Sequence, residues 1–214
     1  MRSTPYANLR SPLPERLNER LPFLAILRRY EEYGRSLPEE ANVLRTLGEH
    51  VFENVQCFER IREDGAKHIG ASVFMMDRAM KKAWFIWNIR LKCWAQPGGH
   101  AEGERDIHLV AKRESREETG VIITEFLDPI PFEIQRYDFS AEVFGYKNSI
   151  FNLFFLAVLP DGQEPQIMEP DKHREGCWKT PDEAMELNGG KDHGKQERLI
   201  QKWKARLEAM RTVA

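Results

Sequence analysis

Apolar residues recur at helical spacing near both ends of the chain and at strand spacing between them. Leu17, Leu21 and Leu24 stand four and three positions apart, which predicts a helix over residues 15–33. Pro22 inside it predicts a kink or a delayed start. Residues 1–14 are rich in Pro and Ser and read as irregular. In GRSLPEE, Ser36 is a cap candidate, Pro38 suits a first turn, and Glu39 and Glu40 favour the positive helix end. Val43, Leu44, Leu47, Val51 and Val55 continue an apolar stripe, so residues 15–60 predict a pair of helices.

The pattern changes near His68. HIGASVFMMD and KKAWFIWNIR are short, with β-branched and aromatic members, and predict two strands joined across DRAM by a hairpin. RLKCWAQ leads into a glycine-rich turn. VIITEFL predicts another strand, ended by Pro129 and Pro131, and IQRYDFSAEVFGY holds a further one. SIFNLFFLAVLP predicts a buried strand stopped by Pro160 and Asp161-Gly162. EGCWKT reads as a last short strand and PDEAMEL as a short helix opened by Pro181. Leu199, Trp203, Leu207 and Met210 form the stripe of an amphipathic helix that packs on the sheet. Strands and helices do not alternate strictly, so a mixed sheet between helices is expected rather than a doubly wound parallel one.

Composition narrows the function classes. A length of 214 residues suits one domain with an attachment, or two small ones. Hydrophobic residues at 41% and charged residues at 31% describe a folded globular chain. A net charge of -2 supplies no basic surplus for a nucleic-acid partner. Cys57, Cys93 and Cys177 form no CxxC and no disulfide ladder, which fits a reduced, cytoplasmic setting. The apolar runs LPFLAIL and LFFLAVL are too short to span a bilayer, and the start lacks the apolar core of a signal peptide.

The candidate chemistry lies in QPGGHAEGERDIHLVAKRESREETGV, residues 96–121. Asp106 is placed to cap a helix whose apolar face carries Ile107, Val110 and Ala111. Glu114, Glu117 and Glu118 follow at i, i+3 and i+4, grouping three carboxylates on one side. A solvated face is the ordinary meaning of a charged run. Here Glu114 and Glu118 continue the stripe of Ile107 and Ala111, so the acids track the buried face. Such like-charge neighbours destabilise a bare helix by roughly 0.2–0.5 kcal/mol per pair. Basic neighbours or a bound divalent cation would offset that cost. Clustered carboxylate oxygens suit Mg²⁺ or Mn²⁺, ions that bridge phosphate oxygens and activate water. Arg113 is placed to hold a carboxylate or meet phosphate. Gly98 and Gly99 permit a tight turn from which a backbone carbonyl reaches the metal, and Gly120 fits the helix C-terminus.

PGGHAEGE followed by RESREETGV resembles the Nudix box, whose usual form is Gly, five residues, Glu, seven residues, Arg-Glu-apolar-x-Glu-Glu-x-Gly-apolar. The second half matches at Arg113, Glu114, Glu117, Glu118, Gly120 and Val121, with Ser115 at the apolar position. The first half departs. Counted back from Arg113, the usual Gly falls on Gly99 and the usual Glu on Arg105, which leaves Glu104 out of register. The resemblance implies a Nudix α/β/α sandwich with a mixed sheet over roughly residues 66–185. It divides the chain into an N-terminal helical extension, 1–65, and a hydrolase domain with a C-terminal helix, 66–214. It also implies metal-dependent hydrolysis of a nucleoside diphosphate linked to another group, or of a related small-molecule diphosphate. On that resemblance Glu114, Glu117, Glu118 and the Gly99 carbonyl surround Mg²⁺ or Mn²⁺, and Arg113 orients a glutamate. The base that takes the proton from water is a box glutamate or a later acid, for which Glu164, Glu169 and Glu175 are candidates.

For substrate contacts, Arg136 with Tyr137, Phe139, Phe144 and Tyr146 is the region to search, and His100 lies in the glycine turn within reach of phosphate or metal. Ordinary packing and a hydrogen-bonded loop histidine are the plain alternatives. The N-terminal helices are free to cover the site, to pair with a second copy in a homodimer, or to extend the core. Two other functions compete. A non-catalytic diphosphate-binding module has no need to keep three like charges together. A diphosphate isomerase needs an acid–base pair around an alkene, and no distinct Cys/Glu arrangement is present.

Overall fold

The computed structural model describes residues 17–32, 40–187 and 195–213. Expectations for residues 1–14 and for Ser36, Pro38 and Glu39 lie outside the described residues, as do those for the side chains of Leu17 and Met210.

A seven-stranded mixed sheet forms the centre. Its axis is β1 (Ala66–Met76) alongside β6 (Asn148–Val158), parallel from Ala66↔Asn148 to Met76↔Val158. Both strands are buried on their two faces, which is why they read as near-continuous apolar runs. β2 (Ala83–Asn88), β3 (Cys93–Ala95), β4 (Gly98–His100), β5 (Glu133–Phe139) and β7 (His173–Lys179) add antiparallel pairs, giving a path β3-β2-β1-β6-β5 with β4 on β1 and β7 on β2. Strand alternation divides the core. Ile69, Ala71, Val73 and Met75 face α3 (Ile107–Thr119) and the pair α1 (Leu21–Glu32) and α2 (Ala41–Glu53). Phe74, Met76 and Phe85 face α5 (Pro181–Met185) and α6 (Lys195–Val213) through Ala184, Leu199, Trp203 and Leu207. Each fully buried Leu or Phe side chain contributes roughly 1.5–3 kcal/mol relative to exposure. The mixed sheet between helical layers, with helices ahead of it, is the expected architecture.

Several local expectations change. The first helix begins at Leu21, so Pro22 sits in its opening turn and the buried face is Phe23, Leu27 and Tyr30; Leu21 is 42% exposed. Val55 lies beyond the end of α2 and is 53% exposed. Gly98 and Gly99 form a strand rather than a tight turn, and neither has a positive φ. Glycine is needed at Gly98 for close approach, since a Cβ there would lie 2.0 Å from Ser72 Oγ on β1. The turn comes later, at Glu102 (φ 53°) and Gly103 (φ 90°). VIITEFL is not a paired strand. Val121 and Ile123 are buried while Ile122 and Thr124 are exposed, but the Gln163 side chain takes the place of a partner strand, accepting from Ile122 N at 2.7 Å.

Helices α1 and α2 are fastened to the remainder by buried charge. Arg20 Nη1 donates to the Val51 carbonyl at 2.6 Å, satisfying the end of α2. Glu40 and Glu133 are both buried, and Lys202 Nζ lies 2.6 Å from Glu40 while Arg198 Nη2 lies 2.6 Å from Glu133. Tyr30 Oη donates to Glu40 Oε2 at 3.1 Å. Burial and the Glu133 charge push the Glu40 carboxyl above its usual range, against the pull of Lys202.

Candidate active site

The site is set by how α3 starts and stops. Asp106 accepts a hydrogen bond from His108 N at 2.9 Å, and Gly120 ends the helix in the left-handed region at φ 74°. Ser115 replaces an apolar residue without leaving an unmet polar group, because its Oγ donates to the Val121 carbonyl at 3.2 Å. With these ends fixed, the three acids separate. Glu114 and Glu118 are 8% and 5% exposed, while Glu117 faces solvent.

Glu114 lies against β4. A Cβ on Gly99 would stand 2.5 Å from its Oε2, so the second glycine makes room for the carboxylate. Arg113 spans the group, reaching Glu114 Oε1 at 2.8 Å, Glu117 Oε2 at 3.2 Å and the His100 carbonyl at 2.7 Å. Glu118 is held at both oxygens: Gly98 N donates to Oε2 at 2.9 Å and His173 Nε2 to Oε1 at 2.8 Å.

The segment after β6 delivers His173. Its backbone satisfies the last carbonyls of α3, Gln166 N donating to Thr119 O at 3.0 Å and Met168 N to Glu118 O at 3.1 Å. This carries Glu169 to the helix end. Glu118, Glu169 and His173 form a group whose ligand atoms lie within 4.8 Å of one another, a set that could hold a metal ion. Of the three later acids singled out in the sequence, Glu169 alone joins the cluster. Glu164 pairs with Arg78 and Glu175 with Arg174.

Electrostatics favour a cation here. Burial, reinforced by Glu118, Glu117 and Glu102, raises the Glu114 carboxyl to about 8 against the opposing pull of Arg113. Lys172, 2.6 Å from Glu169, is held above its ordinary range by that carboxylate and by Glu114 and Glu118. Hard oxygen donors with uncompensated charge, made accessible by a glycine, fit a divalent ion such as Mg²⁺ or Mn²⁺.

The out-of-register first half of the motif has its own structural use. Glu104 accepts from Asp106 N at 2.9 Å and helps shape the start of α3, and Arg105 pairs with Glu19 at 2.8 Å. Glu102 is the acid of this turn nearest Arg113, at 3.8 Å, and also meets Arg60 at 3.0 Å.

The candidate substrate residues divide between faces. Tyr137, Phe139 and His100 fall into one half-buried aromatic row, linked through Phe144. Ring centroids are 6.3 Å apart for Tyr137–Phe139, 5.0 Å for Phe139–Phe144, 6.5 Å for Phe144–His100 and 5.0 Å for His100–His68. Arg136 lies on the opposite face of β5, over the Phe151 ring and 2.8 Å from Asp138. The guanidinium beside the row belongs to Arg90, 5.5 Å from the Phe144 centroid. Burial pushes His100 down to about 3, which keeps its imidazole neutral.

Sequence reasoning pointed to Phe144 with Tyr137 and Phe139 but missed His173 and Arg90. His173 sits four positions after Glu169 in a charged segment, and no local spacing ties it to Glu118, 55 residues earlier.

The family described as the NUDIX domain matches residues 66–200. Among solved structures, a NUDIX-family hydrolase from Clostridium perfringens is 16% identical, with a TM-score of 0.50, covering 64% of this chain and 97% of that one. An Ap4A hydrolase from C. elegans is 19% identical, with a TM-score of 0.49, covering 66% of this chain and 98% of that one. The NUDIX domain of Shewanella oneidensis NrtR, complexed with ADP ribose, is 14% identical, with a TM-score of 0.46, covering 66% of this chain and 89% of that one. At such identities these likenesses concern the fold alone. No curated protein matches the chain. Among the described residues no helix is long and apolar enough to cross a membrane.

Proposed function

We propose a substrate class and a metal site for this chain, which belongs to the Nudix family and is at that level a pyrophosphohydrolase. The substrate is a nucleoside diphosphate linked to another group, or a related organic diphosphate, and the bond cleaved is a phosphoanhydride. The observation that carries this reading is the placement of Glu114 and Glu118, two carboxylates buried at the end of one helix against a diglycine strand. A non-catalytic binding module leaves that buried negative charge without a purpose.

Glu114, Glu117, Glu118 and the Gly99 carbonyl are the groups that would hold Mg²⁺ or Mn²⁺. When bound, the metal neutralises diphosphate charge and lowers the pKa of an attacking water. Arg113 keeps Glu114 and Glu117 in place through its two contacts. Glu169 is the later acid best placed to accept the water proton, since it already stands beside Glu118. Water oxygen then bonds to phosphorus as the bridging P–O bond breaks, and the leaving phosphate takes the bond's electron pair. The aromatic row of Tyr137, Phe139, Phe144 and His100 offers flat surfaces for a base, which supports a nucleoside-bearing substrate. Residues 1–65 act as a helical extension of the hydrolase domain, 66–214, rather than as a separate catalytic unit.

The test is turnover of nucleoside triphosphates, ADP-ribose, other nucleotide sugars, dinucleotides and isoprenoid diphosphates, with Mg²⁺, with Mn²⁺ and with chelator. Metal-dependent cleavage of one class, lost in Glu117→Gln, is expected. Equal turnover in chelator, or a Glu117→Gln variant unchanged in both metal binding and rate, overturns the metal role.

A further inference from the structure

Glu118 is unusual among the acids of this site because protein donors already hold both its oxygens. The Gly98 amide takes Oε2 and His173 takes Oε1. We propose that His173 is a positioning residue, which fixes the direction in which Glu118 offers its remaining lone pairs to a divalent cation. The inference rests on the metal-site reading above.

Three observations support it. His173 is 1% exposed, and burying an imidazole is costly unless its polar atoms are used. Its Nδ1 has no hydrogen-bond partner among the described residues, so the Nε2 contact with Glu118 is the polar contact the ring makes there. A carboxylate accepts and does not donate, so the shared proton sits on Nε2. The backbone also aims the ring. His173 N donates to the Glu169 carbonyl at 2.9 Å, closing one turn that carries both side chains. The β2–β7 register shifts between Ile86 and Asn88, and His173 pairs with Asn88 just past that irregularity. An apolar residue could fill the same volume, but it could not restrain Glu118. Hydrogen bonds that orient metal ligands are typically worth about 10–100-fold in metal affinity.

The experiment is Mn²⁺ binding to metal-free protein, followed by electron paramagnetic resonance of the free ion, with kcat and KM measured alongside. His173→Leu removes the donor at similar volume. His173→Gln places an amide nitrogen near the original Nε2, whereas His173→Asn places one near Nδ1, away from Glu118. The expected result is Mn²⁺ affinity lowered about 10–100-fold in the Leu and Asn variants, largely restored in Gln, with kcat falling more than KM rises. If the Leu variant fails to fold, the contrast between Gln and Asn still decides. In a Glu118→Gln background, removing His173 should cost little more. Undiminished Mn²⁺ affinity in both Leu and Asn overturns the inference, as does an equal loss in the Glu118→Gln background. Wild-type protein that binds no Mn²⁺ overturns the metal reading, and this inference with it.

Discussion

Among the described residues two places bury a pair of glutamates, and they are built in opposite ways. At the junction of the N-terminal helices with α6, Glu40 and Glu133 meet Arg198 and Lys202, one base for each acid, with Tyr30 completing the group. At the end of α3, Glu114 shares Arg113 with Glu117 and Glu102, and Glu118 is held by the Gly98 amide and by His173, a hydrogen-bond donor rather than a fixed cation. The first group is balanced and sealed, so it fastens helices. The second carries excess negative charge beside a glycine strand, so it is suited to receive a cation. Burial does not separate acids that fasten helices from acids suited to receive a cation here. Charge balance and access do.

The largest expected effect breaks the balanced group. Glu133→Leu takes from Arg198 its close acid and leaves Glu40 alone to face both bases, and removing one partner of a buried pair costs roughly 3–5 kcal/mol. Urea unfolding should show that loss, with the rate per folded molecule unchanged; a matching fall in kcat would mean the junction also serves the site. Next is Glu118→Gln, which should cut kcat on the order of 10²–10³-fold while the melting temperature barely moves. Unaltered turnover would remove the functional half of the contrast.

A smaller effect comes from pH. The Glu114 carboxyl stands near 8 in the folded chain against 4.5 ordinarily, so folding without metal favours its protonated form. That stability is complete below pH 4.5 and is lost as pH rises through about 8. His50 and His100 work the other way: burial lowers both, so they weaken the fold as pH drops below 6.5. Melting curves of wild type and Glu114→Gln should therefore converge at acid pH, with wild type falling behind toward pH 8 and recovering when Mg²⁺ is added. Parallel curves would show that Glu114 is not held as described. The smallest change is Arg45→Ala, which removes an exposed pair with Glu49 and should cost about 0.3–0.5 kcal/mol with no effect on rate.

Where information is local, the sequence was readable. Asp106, the stripe through Ile107 and Ala111, and Gly120 announce α3, and the steps to Glu114 and Glu118 place both on its buried side. β1 and β6 announce themselves as apolar runs. What escaped depends on distant partners. VIITEFL has the composition of a strand, yet Gln163 meets its backbone in place of a neighbouring strand. Glu40 and Glu133 look like ordinary surface acids until α6 brings Arg198 and Lys202 to them. Arg136 and Tyr137 are adjacent in sequence, and strand alternation alone puts them on opposite faces. His173 is found only by following the segment that covers the end of α3.

That segment also has a consequence for how the protein is made. A ribosome adds roughly 5–20 residues per second, so the 55 residues from Glu118 to His173 take about 3–11 s to appear. Through that interval the nascent chain exposes the whole box helix but lacks the strand and turn that hold its last glutamate. Assembly of the pocket waits until His173 has been made, and a chain released before that residue carries the motif without the histidine that holds Glu118.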